Sequence, residues 1–242
     1  MRPLQGLLKT SPEQSGKPLF VSRIHQTIKR NRSDDPNQRR DTARRTQRTP
    51  HAQSGNVGSD EEKFICLWIA FNAAYGGEPS GADGDGPNEI GRINTFLKKV
   101  IYHDRQNENR IRAILWETFS EQIQDLLCNR YAFKAFWQYV RGEPQGAGWD
   151  AQLERKNDGF WTDLEKENVF DVFREVFWRL YQLRNQVFHG GMTFQEGWGR
   201  TQLAQGRLIM EDIVPAVLDV MDENPGSDWG KVAYPRIGEN PD

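Results

Sequence analysis

The sequence predicts an all-α protein, on three observations. Apolar residues recur at spacings of three and four through several long segments, and no stretch alternates apolar with polar residues as a half-buried strand does. Paired glycines, Gly76-Gly77 and Gly190-Gly191, stop two of the most apolar segments where helices favour such residues. With 242 residues, 36% of them hydrophobic and 11% aromatic, the chain has enough apolar material for one substantial core, so a single domain with extensions is expected.

The first expected helix takes Asp60 as N-cap and buries Phe64, Leu67, Trp68 and Phe71 before Gly76 ends it. Asn72 is its polar intruder: either a core asparagine bonded to loop backbone, or a support for a site elsewhere. The glycine- and proline-rich stretch 76–87 reads as a loop. A second helix follows over about 89–104, with Ile90, Ile93, Phe96, Leu97, Val100 and Ile101 as its apolar positions.

A third helical region, about 108–140, carries Ile111, Ile114, Leu115, Phe119, Ile123, Leu126 and Leu127 at helical spacing, and its length calls for a break near Asn129. Beyond the break stand Tyr131, Phe133, Phe136, Trp137 and Tyr139. Such rings can stack on bases, but a helical aromatic cluster is read as packing. The segment from Gly142 to about Asp163 reads as a loop exposing Trp149, Phe160 and Trp161, which cover the core or line a cleft. The last helix, about 200–222, buries Leu203, Met210, Val214, Val217 and Met221, with a kink expected at Pro215. Cys66 and Cys128 lie in apolar helical segments and are expected as small buried thiols rather than a disulfide or metal ligands.

Between these regions lies the most apolar helix, in which Val169, Phe173, Val176, Leu180, Leu183 and Val187 recur at spacings of four and three. It ends in Arg184-Asn185-Gln186-Val187-Phe188-His189-Gly190-Gly191. On a helical wheel of about 100° per residue, Trp178, Gln182, Asn185 and His189 form a more polar stripe, whereas Arg184 falls among Phe177, Leu180 and Phe188. An arginine in that position needs a carboxylate, a backbone carbonyl or an anionic ligand, because an unpaired buried charge is costly. His189 belongs to the last turn, where the helix dipole favours a cation. A guanidinium forks onto phosphate oxygens and an imidazole exchanges protons near neutral pH, so the pair has the chemistry to act on a phosphate. Five helical residues nevertheless set the two side chains about 140° apart, so fraying of the last turn or a second subunit must bring them together.

Charge is unevenly distributed. Residues 1–57 carry 12 Lys/Arg against 4 Asp/Glu, and the remainder carries 20 against 30. The expected organisation is a basic, largely disordered arm over 1–57, a helical domain over 58–222, and a loosely ordered tail over 223–242. The arm reads either as an attractor of nucleic acid or as a solvated tail or an extension from a misassigned start codon. No signal-peptide pattern or long apolar run is present, so a cytoplasmic protein with no membrane contact is expected. Glycine-rich phosphate loops, HExxH and paired CxxC motifs are absent, and no cofactor or metal is expected.

The Arg-Asn-x-x-x-His pattern at the end of a late helix resembles the signature of the HEPN superfamily, the higher eukaryotes and prokaryotes nucleotide-binding domains. Phe64–Tyr75, Asn129–Trp137 and Leu180–Gly191 resemble bacterial HEPN proteins of the Apea-like kind, over roughly residues 58 to 222. The resemblance implies an antiparallel helical bundle, frequent homodimerisation and, in many members, metal-independent RNA cleavage in toxin, stress or phage-defence settings. Other members are non-catalytic binding or scaffold modules, and the acidic body of this chain suits that alternative. Arg184, Asn185 and His189 are then the expected catalytic residues. Asn72 is an expected support, and the stripe containing Trp178, Gln182 and Asn185 is an expected dimer contact. Some HEPN toxins are held by a nucleotidyltransferase antitoxin and carry a tyrosine two positions after the histidine. Gly191 occupies that position here, which argues against that control while leaving an unidentified antitoxin open.

Overall fold

The computed structural model describes residues 59–76, 89–189 and 199–230, and every element in them is helical. The eight α-helices are α1 (Asp60–Tyr75), α2 (Glu89–Asp104), α3 (Arg110–Ala113), α4 (Ser120–Cys128), α5 (Lys134–Val140), α6 (Trp149–Glu165), α7 (Val169–Phe188) and α8 (Arg200–Glu223). A π-helical turn, Ile114–Thr118, joins α3 to α4, and single 3-10 turns at Arg130–Ala132 and Pro144–Gly146 flank α5. The expected basic arm, residues 1–57, and the end of the tail, 231–242, lie outside the described residues, as do the loop after α1 and the Gly190-Gly191 stop.

Helix α1 begins one residue earlier than the sequence suggested. Ser59 is the N-cap: its hydroxyl accepts from Glu62 N at 3.3 Å, while Glu62 Oε2 accepts from Ser59 N at 2.7 Å, a reciprocal capping box. Asp60 is thereby released to pair with Arg207 on α8 at 2.7 Å. Helix α1 packs chiefly along α8, and α8 comes close to α7 at Gly206, where a Cβ would lie 3.0 Å from Leu183 Cδ1 and 3.3 Å from Leu180 Cδ2. Trp68 and Phe71 of α1 meet Phe177 of α7 at ring distances of 5.1 and 4.5 Å, which puts the apolar face of α7 at the centre of one core.

The region after α2 is more broken than the apolar spacing implied. Asn109 is held at φ 53° and Asp104, fully buried, accepts from Arg110 N and Ile111 N at 2.8 and 2.9 Å, so the first free donors of α3 are satisfied by a side chain from the preceding helix. The π turn then ends at Phe119, whose φ of −123° and ψ of 22° leave the helical region. The expected break at Asn129 is present, with its Oδ1 accepting from Tyr131 N at 2.8 Å.

Three expectations are corrected. Residues 149–165 form helix α6 rather than a loop; Phe160 is its buried residue, with Trp161 and Leu164 against the core edge, so its exposed remainder shows little apolar periodicity. Cys66 and Cys128 are free and exposed, because each falls on the outer side of its helix: Cys66 shares a solvent face with Glu62 and Ile69. Trp229, expected in a loose tail, is 6% exposed and packs on Phe96 and His103 of α2 at 6.1 and 5.4 Å, its indole N–H donating to Asn224 O. Pro215 lies buried inside α8.

Candidate functional site

The Arg-Asn-x-x-x-His residues run along the last turn of α7 and onto its C-cap. Arg184 is half-buried, as its place among apolar positions implied. Its guanidinium lies over Phe188, 4.6 Å from the ring centre, and over Tyr181 at 5.7 Å, the residues four after and three before it on the same face. Nη1 donates to Asn185 Oδ1 at 2.9 Å, whereas Nε is buried without a hydrogen-bond partner among the described residues. A donor held in that condition is suited to an incoming anion or to water.

His189 caps α7 rather than completing its last turn. Its N–H donates to Asn185 O at 3.0 Å, its φ and ψ of −98° and 11° leave the helix, and its ring is exposed. Among the described residues no hydrogen bond or ring contact joins it to Arg184.

The other sequence-derived positions are placed as follows. Trp178 is half-buried against Phe177 and Tyr181, at ring distances of 6.3 and 5.5 Å, and so sits at the edge of the core. Gln182 is half-buried beside it on α7. Asn72 is half-buried on α1; its Oδ1 is shielded from solvent and makes no hydrogen bond to Arg184 or to any other described residue, and the loop backbone expected as its partner lies outside the described residues.

Three residues beside Arg184 escaped sequence reasoning. Tyr75, at the end of α1, and Tyr181, on α7, both donate to Glu89, the first residue of α2: Tyr75 Oη to Oε1 and Tyr181 Oη to Oε2, each at 2.9 Å. Burial, then the bond to and charge of Glu89, push both phenols above their ordinary range, while the Arg184 charge opposes the shift. Both hydroxyls remain protonated donors near neutral pH. The available signal was Tyr181 itself, one turn before Arg184; Glu89 lies 92 residues away and carried none.

The last turn of α7 thus presents a partly desolvated guanidinium, an amide bonded to it and an exposed imidazole, with a carboxylate close by that is already engaged by two phenols. Arg184 can stabilise negative charge, and the imidazole of His189 is exposed to a molecule bound there. Among the described residues no group of His, Cys, Asp and Glu side chains is arranged to hold a metal ion, and no helix is long and apolar enough to cross a membrane. No family model matches the chain, and neither the curated proteins nor the solved structures contain a significant match to it.

Proposed function

We propose that this protein is a metal-independent endoribonuclease of the HEPN type, working as a homodimer. The observation that carries the reading is Arg184, half-buried at the end of α7 with a buried, unpartnered Nε, five residues before an exposed His189. In the proposed reaction the ribose 2′-hydroxyl attacks the adjacent phosphorus and the 5′-oxygen leaves, giving a 2′,3′-cyclic phosphate and a 5′-hydroxyl end. His189 takes the proton from the attacking hydroxyl or supplies one to the leaving oxygen. Arg184 offsets the charge that develops on the phosphoryl oxygens, and Asn185, bonded to Arg184, fixes its direction.

A second reading is supported by the lack of any contact between Arg184 and His189 among the described residues: a non-catalytic helical module in which Arg184 holds a phosphate or stabilises a dimer. Two-fold pairing near the ends of α7 gives the catalytic reading what one chain lacks, since the arginine of one copy and the histidine of the other can face a shared phosphate. The deciding experiment incubates purified protein with total RNA in EDTA, determines the product end groups, and measures mass by sedimentation at micromolar concentration. Cyclic phosphate ends produced by a dimer support the enzyme; intact RNA in the presence of a phosphate-binding dimer supports the module.

A further inference from the structure

Glu89 is a half-buried carboxylate that stands one turn before Arg92 on α2 and shares Tyr181 with Arg184, yet it forms an ion pair with neither among the described residues. Both of its oxygens are taken by neutral phenols instead, Oε1 by Tyr75 and Oε2 by Tyr181, each at 2.9 Å. Arg184 is left correspondingly open. Its Nη1 donates to the Asn185 amide oxygen at 2.9 Å, and its Nε is buried with no hydrogen bond among the described residues.

The two opposite charges meet on one side chain. Tyr181 carries the guanidinium 5.7 Å from its ring centre and the carboxylate on its hydroxyl. The Arg184 charge also reaches Tyr75, where it works against the upward push of burial and Glu89 on that phenol. A carboxylate released beside a partly desolvated guanidinium pairs with it, and the charge-assisted bonds of that pair use the same donors that a phosphate needs. Two phenol hydroxyls satisfy the carboxylate oxygens without consuming the cation.

We infer that Tyr75 and Tyr181 are positioning residues: by filling both oxygens of Glu89 they keep its carboxylate off Arg184 and leave the guanidinium to an incoming phosphate. The inference rests on the anion-binding role proposed for Arg184 and identifies what keeps that role open. Each hydroxyl then has a task separable from its ring. Phenylalanine in either place keeps the contacts of Tyr75 with Phe71 and of Tyr181 with Trp68, at 5.3 and 5.8 Å, and removes only the bond to Glu89.

The test uses the full chain isotopically labelled in its arginine nitrogens and read by NMR. The Arg184 Nε–H resonance is assigned by its loss in Arg184→Ala and followed through a titration with inorganic phosphate. Tyr75→Phe and Tyr181→Phe should each weaken phosphate binding, and together they should do so by about 10-fold or more, the worth of a hydrogen bond to a charged group. Adding Glu89→Gln to the double variant should restore affinity, because the competing charge is gone; a clamp that merely ties helices together predicts further loss. Thermal melts establish that the variants fold, and the single variants carry the test if the double variant does not. Unchanged phosphate affinity in the tyrosine variants, a loss that Glu89→Gln fails to restore, or no phosphate response at Arg184 in the parent chain overturns the inference. RNA cleavage by the parent chain is measured alongside. The expected titrations with intact RNA leave the positioning role standing and the ribonuclease reading failed; cleavage by the parent with unaltered phosphate affinity in the variants does the reverse.

Discussion

Tyr181 and Glu89, 92 residues apart in sequence, are joined by a 2.9 Å hydrogen bond that fastens the start of α2 to the helix carrying Arg184. Tyr75 occupies the other carboxylate oxygen, so one acidic residue ties together the end of α1, the start of α2 and the last turns of α7. The guanidinium of Arg184 rests on the same Tyr181 ring, and this clamp therefore fixes the direction in which the arginine can point.

Alkaline titration should expose the clamp. Both phenols have folded-state pKa values raised above their ordinary value, by burial first and Glu89 second. The unfolded chain therefore ionises them first, at about pH 10, and their contribution to stability is complete below that pH and is lost as pH rises toward the folded values. Ultraviolet titration should show two tyrosines lagging the rest. Glu89→Gln should lower their pKa values only in part, because burial remains. A single titration near pH 10 for all tyrosines would contradict the geometry.

Activity and stability should separate at the motif. Because the His189 ring is exposed, His189→Ala should change stability by no more than about 0.5 kcal/mol while reducing RNA cleavage about 10²–10⁴-fold. Arg184→Ala should reduce cleavage as well, and should also cost about 0.5–1 kcal/mol from its contacts with Phe188 and Tyr181. Parallel denaturation and nuclease assays measure both. Full cleavage by His189→Ala would remove the imidazole from the mechanism.

The buried arginine of α7 gives an asymmetric pair of variants. Arg179 is 2% exposed, lies over Phe133 at 4.7 Å and sits 3.4 Å from Glu175, while its Nε and Nη2 make no hydrogen bond among the described residues. Burial lowers its pKa, which the nearby Glu175 charge partly offsets. Glu175→Gln leaves the cation without its counter-charge and should cost about 1–3 kcal/mol, whereas Arg179→Met removes the desolvated charge and should cost less or even stabilise. Urea denaturation of the two variants distinguishes the order; a larger loss from Arg179→Met would mean that the guanidinium stabilises the fold outright.

The capping box should make the start of α1 sensitive to small changes. Ser59→Ala leaves the Glu62 N–H without its side-chain acceptor and should cost about 1 kcal/mol, with a fall of a few degrees in melting temperature. Glu62→Ala removes the reciprocal bond to Ser59 N. A double variant no worse than either single variant would confirm that the two bonds act as one unit.

Much of the architecture was present in the order of residues. The spacing of Phe64, Leu67, Trp68 and Phe71, of Ile93, Phe96, Leu97 and Val100, and of Val169 through Leu183 identified the three helices whose apolar faces meet in the core, because a helix buried on one side must repeat its apolar residues at three and four. Local chemistry also marked the break at Asn129 and the half-buried setting of Arg184. Helix α6 was hidden because a mostly solvated helix carries little periodicity, and Trp229 because one buried ring after a helix end leaves no pattern.

What the tertiary structure alone decided were relationships between elements distant in sequence. Glu89 was an ordinary first-turn acid until packing brought Tyr75 and Tyr181 to its two oxygens. The rings after Asn129 had the composition of a core, and they do pack on one another, but it is the Gln186 bond to Tyr131 O that ties this segment to α7. Periodicity reports how much of a residue is buried against something; the identity of that neighbour depends on how the helices pack across the whole chain.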